Sequence, residues 1–254
     1  MIEINKLYNQ DCLIGMRDID DKSIDCIICD LPYNKTKSSW DILIPIDKLW
    51  IEYKRIIKDN GAICLTSIQP FTSLLISSNL SMFKYEWIWN KKKPSNFLLS
   101  KVMPMMITES ILIFCAKTPK YNPQMTTGKL RDKSANNKEK FKQVGYNGWG
   151  NVDFKQETNI NDQYYPKNII EISNANQRGK LHPTQKPVEL MEYLIKTYTN
   201  ENMLILDNAA GSGTTLLAAK NLKRNYIGFE KDLNYYNVAC ERIGQVNEIS
   251  VAIE

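Results

Sequence analysis

Met203-Leu204-Ile205-Leu206-Asp207-Asn208-Ala209-Ala210-Gly211-Ser212-Gly213-Thr214-Thr215 runs from a short apolar segment through a glycine-bearing turn into the apolar, alanine-rich residues 216–222. The first part has the length of a buried strand and the last part suits a helix. Between them, glycines at 211 and 213 let the backbone turn tightly and let a ligand approach the main chain. The free amides of the new helix then point at that ligand. One strand later, Asn225-Tyr226-Ile227-Gly228-Phe229-Glu230 ends in an acid, positioned to accept hydrogen bonds from both hydroxyls of a ribose. A ribosyl cofactor belongs at such a unit.

Three cofactors compete for it. A nucleoside triphosphate loop ends in Gly-Lys-Ser/Thr, whereas Gly213 is followed by Thr214-Thr215. A dinucleotide turn asks for a third glycine where Leu216 stands. S-adenosylmethionine has a ribose and an adenine but no pyrophosphate, tolerates the shorter pattern, and is preferred over NAD.

Upstream, the apolar run 24–29 stops at Asp30-Leu31-Pro32-Tyr33. Four such residues can be an ordinary exit turn from a strand. They also set a carboxylate, a backbone carbonyl and an aromatic face together: Asp30 and the Leu31 carbonyl can each accept an N–H of an exocyclic amino group while Tyr33 stacks on its ring. Pro32 stiffens the loop. The matching substrate is a base drawn out of a nucleic acid.

The rest of the chain alternates strand-like runs (24–29, 62–66, 85–89, 110–115) with helical patterns (46–58, 71–79), and periodicity returns at 187–198, a helix opened by proline, before two further strand–helix units. That order predicts an α/β fold with a mainly parallel sheet. After Cys115 the regularity fades, so residues 118–178 are expected to form an inserted region between catalytic segments 1–117 and 179–254. If the strands ending at Cys29 and Leu206 are neighbours where strand order reverses, the two motifs face one another.

Asp30 to Tyr33, His182-Pro183-Thr184-Gln185-Lys186-Pro187 and Asp207 to Thr215, in this order, resemble the beta class of DNA amino-methyltransferases, in which the catalytic motif precedes the cofactor motif. The resemblance covers most of the chain, and the six-residue string is its most specific part. It implies a Rossmann-like fold of the S-adenosylmethionine-dependent methyltransferase type and methylation of adenine N6 or cytosine N4 in double-stranded DNA. It places catalysis on Asp30, Leu31, Pro32 and Tyr33, and the cofactor on Asp11, Cys12, Asp30, His182, Lys186, Asp207, Gly211, Ser212, Gly213, Thr214 and Glu230. Asp11-Cys12 falls where the family grips the cofactor adenine, with a surface helix cap as the plainer reading; Lys186 falls where the cofactor's carboxylate end is supported. The chain departs from the family in carrying Leu31 for a proline, and Asn208-Ala209 for Pro-Phe. Asp rather than Ser at the head of the tetrad favours adenine N6 over cytosine N4. The same resemblance brings in a homodimer and a cognate restriction endonuclease as partners, and an insertion at 118–178 for target recognition.

Charge agrees with a DNA partner. Residues 117–142 hold eight basic residues against Asp132 and Glu139, a balance of +6 within a chain of +5, and Lys91-Lys92-Lys93 precedes them. With Tyr121, Tyr146 and Trp149 nearby, such a stretch can neutralise phosphates and stack on bases, or it can be a solvated loop. The six cysteines sit mostly in apolar runs and read as small core residues, Cys26 and Cys29 included. A single histidine leaves neither a metal cluster nor a histidine triad to assemble. No stretch approaches a membrane span and the start lacks a secretory signal, so a soluble intracellular protein is expected. A catalytically silent DNA-binding homologue, an NAD oxidoreductase, and an RNA or protein-glutamine methyltransferase remain the competing readings.

Overall fold

The computed structural model describes residues 2–33, 42–132, 160–174 and 185–246. The chain divides into two compact units, Met1–Asn122 with Asn168–Glu254, and Pro123–Lys167. In the first unit, β1 (Lys6–Asn9), α1 (Cys12–Gly15), β2 (Ile24–Cys29), α2 (Ile46–Ile56), β3 (Ile57–Ser67), α3 (Phe71–Ser78), β4 (Phe83–Ser95) and β5 (Met106–Phe114) lead up to the second. That unit holds β6 (Thr126–Asp132) and β7 (Ile160–Tyr164). The chain then returns through β8 (Ile169–Glu171), α4 (Val188–Tyr198), β9 (Leu204–Asp207), α5 (Thr214–Asn221), β10 (Asn225–Glu230) and α6 (Leu233–Ile243).

One sheet of the first unit runs in the order β1-β10-β9-β2-β3-β5-β4-β8. Its pairs are parallel from β1 through β3 and again between β4 and β8, and antiparallel on both sides of β5. The mainly parallel α/β fold expected from the sequence is the one found. β2 shows why its run is apolar at every core position. Cys26 and Ile28 pack into the cluster built with α4, α5 and α6, and Ile27 and Cys29 into the cluster built with α2 and α3. A strand covered on both faces has no polar side to show.

Helix α2 buries Leu49, Trp50, Tyr53 and Ile56, one stripe at helical spacing, and its Asp47 and Lys54-Arg55 lie at the ends that the helix dipole favours. From β2 the chain passes through α2 to β3 on one side; from β9 it passes through α5 to β10 on the other. Strand order therefore reverses between β2 and β9, which pair directly, Cys26 with Ile205 and Ile27 with Leu206. The turns after these two strands diverge and leave a crevice outside their carboxyl ends.

The inserted unit is narrower than the expected 118–178. Asn122 donates its backbone N–H to Thr197 O at 2.7 Å and its side-chain amide to Lys196 O at 3.0 Å, tying that flank to α4. On the other flank β8 extends the sheet through the pair Ile88 and Ile169. Within the insertion β6 and β7 form an antiparallel pair that no hydrophobic period announced. Its fastening is polar: the Arg131 guanidinium lies 3.7 Å from the Tyr164 ring centroid and donates to Asn161 Oδ1 at 2.9 Å and to Gln163 O. Lys133, Lys138, Lys140, Lys142, Tyr146 and Trp149 lie outside the described residues. All six cysteines are free and buried. Among the described residues no helix is long and apolar enough to cross a membrane.

Candidate active site

Asp30 is the first residue beyond β2, so a strand clamped on both faces delivers its carboxylate to the crevice. Oδ1 accepts the Tyr33 hydroxyl at 2.5 Å and the Thr66 hydroxyl of β3, and those two hydroxyls are 2.8 Å apart. Oδ2 lies 2.9 Å from Lys186 Nζ. The same ammonium is 3.2 Å from Glu109 Oε2 of β5, whose Oε1 is 3.2 Å from Lys91 Nζ of β4. Four charges of alternating sign thus run from the sheet into the tetrad. Lys186 is only 7% exposed; burial alone would lower its pKa, but Asp30, Tyr33 and Glu109 outweigh that and hold it well above the ordinary lysine range. Burial, then the Asp30 charge, push the Tyr33 hydroxyl well above the usual phenol value, so it stays a neutral donor. The Tyr33 ring leans on Phe71 with centroids 5.3 Å apart at 41°. Leu31 is buried with Cys29 and Leu65.

The opposite wall is the turn after β9. Asp207 is buried, accepts the Ala209 N–H at 3.2 Å, and its carboxyl is pushed by burial up to about 6. Asn208, where the family usually has proline, accepts the hydroxyl of Tyr53 at 2.5 Å and faces Cys12 Sγ at 3.6 Å. Gly211 has φ +53° with open space where a Cβ would stand, and its N–H donates to Glu230 Oε2 at 2.7 Å. Gly213 has φ +74°, and a Cβ there would stand 3.0 Å from the Ala239 Cβ of α6. Arg242 of α6 fastens the turn from behind, donating to Ser212 O at 2.7 Å, Ser212 Oγ at 3.0 Å and Thr214 Oγ1 at 3.1 Å. Glu230, whose second oxygen accepts the Asp232 N–H at 2.8 Å, has its pKa raised by burial. Asp11 caps α1 by accepting the Leu13 N–H at 2.9 Å and pairs with Lys231 at 3.4 Å. The buried Cys12 thiol is pushed up to about 11 by desolvation.

These walls enclose one cavity of about 990 Å³, at the upper end of the roughly 300–1,000 Å³ of ligand sites. Asp11, Cys12, Asp30, Leu31, Pro32, Tyr33, Lys186, Asp207, Gly211, Ser212, Thr214 and Glu230 all line it. Asp30 and Gly211 therefore face one space. Gly213 sits behind the turn against α6, and His182 lies outside the described residues.

Residues 24–241 match the family described as DNA methylase, of N6 and N4 type. The chain belongs to that family. It is similar to the type II methyltransferase M1.MboII of Moraxella bovis, 26% identical over 94% of this chain and 96% of that one. A shorter stretch is 47% identical to the type II methyltransferase M.HindIII of Haemophilus influenzae, covering 30% of this chain and 25% of that one. The solved complex of M1.HpyAVI with S-adenosylmethionine matches at TM-score 0.63 and 25% identity over 94% of this chain and 98% of that one. The PvuII cytosine-N4-specific methyltransferase shares the fold, at TM-score 0.66 and 16% identity over 98% and 90%. This DNA methylase is thus of the S-adenosylmethionine-dependent kind that modifies adenine N6 or cytosine N4.

The cavity fits that cofactor. The open side of Gly211 and the carboxylates of Glu230 and Asp11 line the cavity together, room and acceptors that suit a nucleoside. Lys186, which the resemblance sets at the cofactor's carboxylate end, lines the cavity with its ammonium on Asp30 and Glu109. Of the run Lys91-Lys92-Lys93, Lys92 and Lys93 are exposed, and Lys91 is buried on Glu109. The sequence reading missed Thr66, Glu109, Tyr53 and Arg242. Glu109 left one trace, an acid opening the apolar run 110–115.

Proposed function

We propose that this DNA methylase transfers the methyl group of S-adenosylmethionine to N6 of adenine at a specific sequence in double-stranded DNA, after the base leaves the helix. The observation that carries this is the single cavity faced by both the Asp30 tetrad and the Gly211 turn. Gly211, Ser212, Thr214, Glu230, Asp11 and Cys12 would hold the cofactor, which supplies an electrophilic methyl on a sulfonium.

The protein's task at the tetrad is to present an amino nitrogen that is a poor nucleophile, its lone pair being delocalised into the ring. Asp30 Oδ1 is held by two neutral hydroxyls, which exchange for an N–H of the base more readily than a charged partner would. Lys186 keeps Oδ2 meanwhile and fixes the plane of the carboxylate. With Asp30 taking one N–H and the Leu31 carbonyl the other, a pyramidal nitrogen is favoured and its lone pair is aimed. As positive charge grows on nitrogen, Asp30 stabilises it and takes the proton, directly or through water. Freed from Asp30, the Tyr33 ring offers the base a stacking face.

The aspartate heading the tetrad supports adenine over cytosine, whose N4 is the second reading because the same acceptors suit any exocyclic amine. The Pro123–Lys167 unit, with exposed Lys129, is proposed as the target-recognition element; a homodimer and a cognate restriction endonuclease are proposed partners, inside the cell. The test is incubation with plasmid DNA and tritiated S-adenosylmethionine, followed by nucleoside mass spectrometry and site mapping. N6-methyladenine at one short sequence is expected, N4-methylcytosine transfers the reading to the second base, and turnover retained in Asp30→Ala sinks the mechanism.

A further inference from the structure

The β4–β5 hairpin ends in a tip, residues 96–105, beyond the pair Ser95 and Met106. It is the most exposed apolar part of the described chain: Leu98 is 94% exposed, Val102 79% and Phe97 75%, with Leu99, Met103 and Met105 beside them. An apolar patch of this kind marks a surface that meets something. Its place says what. β5 runs antiparallel to β3 and to β4, so β4 ends at the same edge of the sheet as β3, and Ser95, Lys91 and Glu109 at the root of the tip line the cavity with Asp30. The tip therefore extends from the rim of the cavity. Its own charge is basic: Lys93 and Lys101 are exposed, Lys92 is exposed and lies 3.4 Å from Glu171 Oε2 of β8, and no acid stands in the segment between Asn90 and Glu109. Cations flanking bare apolar side chains are complementary to a polyanion whose interior is stacked rings.

A base that rotates out of a duplex leaves a gap, and the lost stacking raises the barrier to extrusion. Apolar side chains that enter base steps recover part of it. We propose that the β4–β5 tip is the wedge of this enzyme, with Phe97 and Leu98 occupying the place that the target base leaves. The inference rests on the reading of the chain as a duplex-DNA methylase. A second copy of the chain, the other occupant such a patch could take, would sit across the cavity mouth.

The test compares the unaltered full chain with Phe97→Ser/Leu98→Ser in single-turnover methyl transfer. Two duplexes carry the mapped site, one fully paired and one with an abasic position opposite the target base, where extrusion costs less. On the paired duplex the double variant is expected to be slower by roughly 10- to 100-fold, and on the abasic duplex most of that loss should vanish. Equal loss on both duplexes, or no loss on either, overturns the wedge. So does light scattering showing a dimer of the unaltered chain that the double variant splits. Inactivity of the unaltered chain on both duplexes removes the DNA-methylase reading itself, a result distinct from the others.

Discussion

The Lys186 ammonium stands 2.9 Å from Asp30 Oδ2 and 3.2 Å from Glu109 Oε2, and so joins the Asp30–Tyr33 tetrad to the interior of the sheet. This lysine is followed by Pro187, the cap of α4, whose buried Leu190, Met191 and Leu194 fix its position. Orientation of Asp30 is therefore inherited from core packing rather than from the loop that carries it.

Replacing Lys186 by methionine leaves two carboxylates facing each other without a cation between them. Removing one partner from a buried ion pair costs about 3–5 kcal/mol, and the variant is expected to lose that much in urea denaturation. Methyl transfer should fall by at least roughly 100-fold at saturating cofactor, since the Asp30 plane is no longer fixed. Unchanged kcat with lower stability would reduce Lys186 to a scaffold residue.

Asp207 gives a pH dependence with a definite sign. Burial raises its folded pKa to about 6, above the value of about 4 in an unfolded chain. Its contribution to stability is thus fully present below about pH 4 and lost as pH rises through about 6, by about 3 kcal/mol for a shift of this size. Asp207→Asn does not titrate. The stability of the unaltered chain minus that of Asp207→Asn should fall by this amount between pH 4 and pH 7, and a flat difference would show that Asp207 stays ionised throughout.

Much of this site was legible because its parts are local. The apolar run 24–29 followed by Asp-Leu-Pro-Tyr, and the strand–turn–helix around Gly211 and Gly213, each carry their chemistry within a few residues, and the structure keeps both as read. Their meeting required only that β2 and β9 be neighbours, which the strand order supplies. Long-range polar partners had no such signature. Lys91, Glu109 and Lys186 come from two strands and the segment before α4 and obey no period, so a buried lysine was indistinguishable from the exposed pair beside it. The β6–β7 pair was missed for a related reason: TTGKLRD and INDQY are mostly polar and show no alternation, and Arg131 on Tyr164 takes the place of an apolar face.

Arg242→Ala tests whether the cofactor turn is held from behind. Arg242 makes three hydrogen bonds to Ser212 and Thr214 and does not line the cavity. Losing them frees the turn without removing a ligand-facing group, so affinity for S-adenosylmethionine should weaken by about tenfold, the scale of one charge-assisted bond. Calorimetry reads this directly, and kcat at saturating cofactor should stay close to that of the unaltered chain. An equal fall in kcat would mean that the turn also shapes the reacting geometry.

Tyr53 and Asn208 show how this chain manages without the proline usual in its family at the latter position. The Tyr53 hydroxyl of α2 reaches Asn208 Oδ1 at 2.5 Å in a fully buried contact. Tyr53→Phe leaves that carbonyl without its donor, a loss of about 1–3 kcal/mol, whereas removing both partners costs less than the two separate losses together. A double-mutant cycle with Tyr53→Phe and Asn208→Ala is therefore expected to give a coupling of at least about 1 kcal/mol in denaturant unfolding. Because Asn208 lines the cavity between Asp207 and the glycines, the same cycle read as cofactor affinity should show coupling of the same sign. Additive losses in both measurements would mean that the hydroxyl and the amide merely share a buried space.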